Sequence, residues 1–242
     1  MCFSPEADAA VGVIVTAVGI DALRHVRASN EIVLGALPLL FGVHQLTEAF
    51  VWWGLEGRAA HVIETVAVWA YLVFAFALLP ALVPLAVGLV ERTLGRRRII
   101  AACGALGAAV AVGLTVPMFR GPVTATIESR HIEYHVEALG HGGQLTSLYI
   151  VATCGALLAS SYRDLAALGL ASLIAVPLLV WLTVGGFVSL WCFWAAIVSI
   201  VIAFHLRRSA ASFDHAATTP GFTNEASGRH GIRIDRRPTG RG

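Results

Sequence analysis

The sequence predicts an all-α integral membrane protein, a bundle of seven transmembrane helices, and three observations carry that reading. Of the 242 residues, 57% are hydrophobic and 13% are charged. The mean hydropathy is +0.76, outside the range of soluble globular domains. The charges are also unevenly spread, because 65–90, 99–119, 144–162 and 165–206 run almost without one. In lipid, each such run must hydrogen-bond its own backbone, which makes it a helix.

Runs long enough to cross a hydrocarbon core of roughly 30 Å, at about 20 residues each, fall near 7–26, 31–55, 62–90, 98–118, 144–162, 165–186 and 187–206. The last two are joined by "GGFVS", where Gly185 and Gly186 permit a tight turn. A single long kinked span there would leave six helices. Pro80 and Pro84 are expected to distort the long third helix. Between the fourth and fifth runs lies the longest loop, 119–143, and residues 1–208 form the membrane domain.

Orientation is read from the arginines. All seventeen basic residues are Arg. Strict alternation puts fourteen of them on one side: Arg24, Arg27, the cluster at 92–98, Arg163, Arg207, Arg208 and five in the tail. Only Arg58, Arg120 and Arg130 fall on the other. The positive-inside rule makes the first side cytoplasmic, so the N-terminus is outside and the C-terminus inside. The opening "MCFSPEADAAVGVIV" has neither a basic stretch nor a cleavage site, so the first helix is read as retained. From 209 to 242 the composition shifts to Gly, Ser, Thr, Arg and Pro, which predicts a disordered Arg-rich tail. The expected location is the plasma membrane of a bacterium, and the expected partners are membrane lipids, with no nucleic acid.

Within the second helix, "GVHQLTEAFVWW" sets His44, Gln45 and Glu48 among apolar neighbours. Residues four apart share a helix face, so His44, Glu48 and Trp52 form one stripe with Gln45 beside it. A carboxylate inside the bilayer costs roughly 2.5–3.5 kcal/mol near the helix centre on insertion scales. It must therefore face the bundle or a water-filled cavity. Such a stripe is either a functional site or interhelix glue.

The long outer loop contains "ESRHIEYHVEALGHGG", with His131, His135 and His141. In "HIEYHVE", polar and apolar residues alternate with a strand period, which predicts an extended or hairpin-like segment over the helices. Imidazole and carboxylate are ligands of Zn and other divalent transition metals. His44, His131, His135 and His141 are accordingly candidate ligands, with Glu48 as ligand or general base. A solvated loop with freely titrating histidines is the alternative. The H-E-x-x-H protease motif is absent, because Glu133 stands one place late.

Cys2, Cys103, Cys154 and Cys192 form no C-x-x-C pair. Cys2 and Cys192 fall on the same outer side, where an oxidising exterior would allow a disulfide, and they complete the polar candidates. Cys103 and Cys154 read as packing residues. Trp69, Tyr71, Tyr149 and Trp181 lie deep enough in their helices to line a pocket or simply to pack.

The segments "MCFSPEAD", "DALRHVR", "LPLLFGVHQLTEAFVWWGL", "RGPVTA", "YIVATCGALL" and "SLWCFWAAIVSIVIAFHLR" resemble an uncharacterised family of multi-pass bacterial membrane proteins that begin Met-Cys-Phe-Ser. The resemblance covers roughly residues 1–208 and implies fold and topology, with no catalytic residues carried over. Two functions are compatible with these residues. One is a metal-assisted hydrolase of a lipid or amphiphile, with Glu48 catalytic. The other is a non-enzymatic sensor, carrier or assembly protein that binds a small ligand, ion or proton at the same cluster. Retinal photoreception is excluded, since a Schiff base needs a lysine.

Overall fold

The computed structural model describes residues 4–128, 131–139, 143–182 and 187–218, with side chains described outside 177–193 and 212–218. The first helix, α1 (Pro5–Arg24), is started by Ser4, whose Oγ accepts from the Ala7 N–H at 3.3 Å, and by Pro5 in the first turn. A short 3₁₀ turn, Ser29–Glu31, leads into α2 (Ile32–Leu55). Next comes one continuous helical run, His61–Val90. It consists of α3 (His61–Leu72), a π-helical turn (Val73–Leu78) and α4 (Leu79–Val90). The expected distortion of this run takes the form of that wide turn. Pro80 has no N–H to give to the preceding turn, and the wider π register absorbs the misfit.

Helix α5 (Leu94–Met118) is followed by an antiparallel hairpin of β1 (Val123–Glu128) and β2 (His131–Val136), in register from Val123 against Val136 to Glu128 against His131. The loop is therefore the hairpin that its alternation predicts. Three more helices complete the chain: α6 (Gly143–Leu158), α7 (Arg163–Leu182) and α8 (Phe187–Thr218). Helices α7 and α8 are separate and packed together, with the Trp194 indole N–H donating to Ser172 Oγ at 3.1 Å. This removes the six-helix alternative and leaves seven helical runs among the described residues. Four segments are long and apolar enough to cross a membrane by length and composition: Ser29–Leu55, His61–Val90, Leu94–Met118 and Trp194–Ala211.

At its C-terminal end the structure departs from the sequence expectation. A disordered tail was expected from 209, but α8 continues to Thr218. The segment after Arg208 is rich in Ala, the best helix former. Ser209 is held by Glu31 at 3.3 Å, and Ala210 is buried. Residues 219–242 lie outside the described residues.

The helices shuttle between two ends of the bundle. At one end, Asp21 pairs with Arg207 at 2.8 Å and Asp164 approaches His205 at 3.4 Å. There also Asn30 donates to the Leu89 carbonyl, Tyr162 to that of Val90, and Arg96 to those of Ala159 and Ser160. This end holds the arginine-rich turns. At the other end, Arg58 bridges Glu6 and Glu56 at 3.2 and 3.1 Å, and the hairpin covers the helix ends.

The most extensive helix–helix contact is the antiparallel α1–α2 pair. Glycines make it possible: a Cβ on Gly19 would meet the backbone of Leu39, one on Gly42 the backbone of Thr16, and one on Gly12 the Leu46 side chain at 2.8 Å. Small residues let two backbones approach this closely, the usual basis of helix association in lipid.

Candidate functional site

Helix α2 turns one face into the bundle, and the polar stripe lies on it. His44 is 7% exposed, while Gln45 and Glu48 are 1% exposed. The close contact with α1 brings up a further acid that the sequence reading passed over. Asp8 is 0% exposed. Gly12 lies against Leu46, so continuing that register by one turn sets Asp8 level with Ala49 and Phe50, a residue or two past Glu48. Two carboxyls from neighbouring helices are thus buried at one level, with Gln45 and His44 a turn deeper. Asp8, Gln45 and Glu48 each have a polar or electrostatic partner. The signal for Asp8 was an acid inside the otherwise apolar run "ADAAVGVIV".

His44 is clamped by aromatic rings. It stacks on Tyr71 with centroids 4.0 Å apart and planes at 19°, and it meets Phe74, in the π-helical turn, at 4.5 Å. Tyr71 in turn stacks on Tyr134 of β2 at 4.6 Å and 8°. Among the described residues, His44 Nδ1 is buried and has no hydrogen-bond partner. A continuous stack, Phe74–His44–Tyr71–Tyr134, therefore runs from the helix interior to the hairpin. The π turn helps to build it, since it follows directly on the turn carrying Tyr71.

The hairpin is joined to the helices by its apolar residues. Ile132 is 1% exposed and packs with Val51, Trp52, Val68 and Met118. Alternation then turns His131, Glu133 and His135 to the opposite face. There His131 stands opposite Glu128, and His135 Nε2 lies 3.3 Å from Thr126 Oγ1. The structure thus does not bring His131 or His135 to His44 and Glu48. Burial favours the apolar side of the strand, and this decides which side faces inward. Among the described residues, no three His, Cys, Asp or Glu side chains group closely enough to hold a metal ion. His141, Cys2 and the side chain of Cys192 lie outside the described residues. Tyr149 lines an apolar cavity of about 60 Å³ with Phe41, Val83, Cys154 and Trp194, separate from the stripe.

A family model described as a family of unknown function (DUF6629) matches residues 1–217. The chain belongs to this family. No curated protein and no solved structure matches it. The DUF6629 match ends within one residue of the end of α8, so it takes in the buried cluster, the hairpin and the arginine-rich end.

At that last end of the DUF6629 chain, Glu91 is buried at 3% exposure between α4 and α5. Burial pushes its carboxyl up, but hydrogen bonds outweigh it and hold the carboxyl at about 2. The donors are the Ser161 N–H at 2.7 Å, the Thr93 N–H at 2.8 Å and the Ser161 hydroxyl at 2.8 and 2.9 Å. Glu91 ties the α4–α5 turn to the α6–α7 turn.

The hairpin gives a local prediction. Ile132→Ala removes a buried side chain from its packing, a change worth about 2–5 kcal/mol in cores that cannot collapse. Hydrogen exchange is expected to rise across 123–136 and to stay slow in α4 and α5. Equal loosening of all helices would show that the hairpin is not a separate lid on the bundle.

Proposed function

We propose that the chain is a seven-span protein of a cell membrane, N-terminus outside, whose buried Asp8, His44, Gln45 and Glu48 form a proton-binding site in the outer half of the bundle. The observation that carries this reading is the burial of Asp8 and Glu48, 0% and 1% exposed, at one level of a tightly packed helix pair. Burial in a medium of low dielectric disfavours the charged form of each carboxyl, and two at one level of the bundle add to that cost, so the site tends to hold a proton and its acids to titrate as a unit. A proton needs no cavity, which suits side chains buried this deeply. His44 stands on the same face of α2 as Glu48, one turn deeper.

The seven-span reading is supported beyond the four apolar segments. Large aliphatic side chains stand exposed on helices all round the bundle, including Val13, Val62, Val112, Ile174 and Ile200. So much exposed apolar surface fits a lipid-facing belt. The arginine distribution supports the orientation.

The aromatic stack gives the cluster a mechanical link to the hairpin, which favours a sensor or assembly protein over an enzyme. A metal-assisted hydrolase would draw His131 and His135 towards His44, and the hairpin face that they occupy does not favour that.

The test is the melting temperature of the full chain in vesicles between about pH 5 and 9, above the range in which Glu91 titrates. Wild-type stability is expected to vary with pH and to vary less in Glu48→Gln and Asp8→Asn. Superimposable pH profiles of the three proteins would refute the proposal.

A further inference from the structure

The arginines at the polar end divide into two groups. Arg207 pairs with Asp21, while Arg208 lies 4.0 Å from Asp164 and over the Phe204 ring. Arg92, Arg97 and Arg98 are exposed, and among the described residues no carboxylate pairs with them. Arg96 beside them donates to the carbonyls of the α6–α7 turn, and Arg163 is exposed two residues past Ser161. The nearest acid in the sequence, Glu91, has both oxygens engaged by Ser161 and Thr93. The positive charge of this surface is therefore left uncompensated, while Arg207 and Arg208 at the same end face carboxylates of the chain itself.

Two neighbours specify what covers it. Leu94 and Ile99, in the same first turns of α5, are 73% and 57% exposed. Large apolar side chains interleaved with guanidinium groups at the start of an apolar helix fit the boundary between headgroup and hydrocarbon, where arginine stems and leucines meet acyl chains. The basic residues are all arginine, whose planar fork binds phosphate in a bidentate way.

We infer that the α4–α5 turn and the adjoining α6–α7 turn form a binding surface for an anionic phospholipid headgroup. Arg92, Arg97 and Arg98 take its phosphate, and Leu94 and Ile99 stand at the level of its acyl chains. This surface is independent of the proton site and stands or falls separately.

The experiment uses the full chain in phosphatidylcholine vesicles carrying trace spin-labelled phosphatidylglycerol or spin-labelled phosphatidylcholine. The fraction of motionally restricted label is read by electron spin resonance. The wild type is expected to restrict phosphatidylglycerol preferentially. The preference should fall on the order of fivefold for each arginine lost in Arg97→Gln and Arg98→Gln, with helicity unchanged by circular dichroism. Arg207→Gln/Arg208→Gln, which removes internally paired charges, should keep most of it. Equal restriction of both lipids in the wild type overturns the inference. So does an equal loss in the Arg207→Gln/Arg208→Gln control, which would reflect general surface charge. Displacement of the label by soluble glycerol phosphate would also overturn it, because it would mark a site for free phosphate. Should the double substitution Arg97→Gln/Arg98→Gln unfold the chain, the single substitutions decide.

Discussion

Gly19→Val is expected to destabilise the chain by about 3 kcal/mol or more, the upper range for overpacking a filled interior. Backbone conformation is not the reason, because a helix accepts valine at modest cost. The reason is space: a Cβ at Gly19 would collide with the backbone N and Cα of Leu39. A backbone cannot rotate aside as a side chain can, so α1 and α2 would have to separate along a contact that runs from Gly19 towards Asp8. Gly12→Ala should cost less, since its Cβ first meets the Leu46 side chain. Gly95→Ala, where a Cβ meets nothing within 4 Å, should be neutral or slightly stabilising. Denaturation of the three variants in the same detergent checks the order. If Gly19→Val matched Gly95→Ala in stability, the close α1–α2 contact would be refuted.

Removing the Glu91 carboxylate should have an effect of similar size. Glu91→Ala leaves two backbone N–H groups and a hydroxyl of the α4–α5 and α6–α7 turns without their acceptor. Breaking a buried charged network of this kind costs about 3 kcal/mol. The same bonds imply a pH dependence whose sign is fixed. The folded carboxyl is held at about 2, against 4.5 for an unperturbed one. The stabilisation is therefore complete above pH 4.5 and is lost as the pH falls towards about 2. A gap of that size corresponds to something on the order of 3 kcal/mol. Melting curves near neutrality and in acid should show wild type falling towards Glu91→Ala as the acid limb is crossed. A constant difference between the two proteins across that limb would mean that Glu91 acts by packing and not by charge.

How much of this was readable in the sequence depended on the range of the interaction concerned. A helix is a local object, so apolar run lengths located the seven helical runs of the described residues. Period-two alternation in "HIEYHVE" marked the hairpin, while the Gly185–Gly186 turn expected between the last two helices lies outside the described residues. The stripe of His44, Gln45 and Glu48 was legible for the same reason, because i and i+4 positions share a face of one helix. Asp8 was not, since its level with Glu48 depends on the α1–α2 register, which only the pairing of glycines with the facing backbone sets. The hairpin shows the same limit. Alternation says that Ile132 and Tyr134 face one way and His131 and His135 the other, but which side meets the helices is decided by packing on Trp52 and Tyr71. The end of α8 was missed because Ala-rich "SAASFDHAAT" reads as small and polar and becomes helical where it packs at Ala210.

The central claim, that the buried acids Asp8 and Glu48 form a protonatable pair in the bundle interior, is tested most directly by infrared difference spectroscopy. The full chain in vesicles is titrated across pH, wild type beside Asp8→Asn and Glu48→Gln. The account predicts a protonated carboxylic acid band in the wild type that titrates, and it predicts that either substitution abolishes or shifts that band, because the two acids titrate as one unit. A wild-type spectrum with no titrating buried acid would contradict it, as would a band that survives both substitutions unchanged.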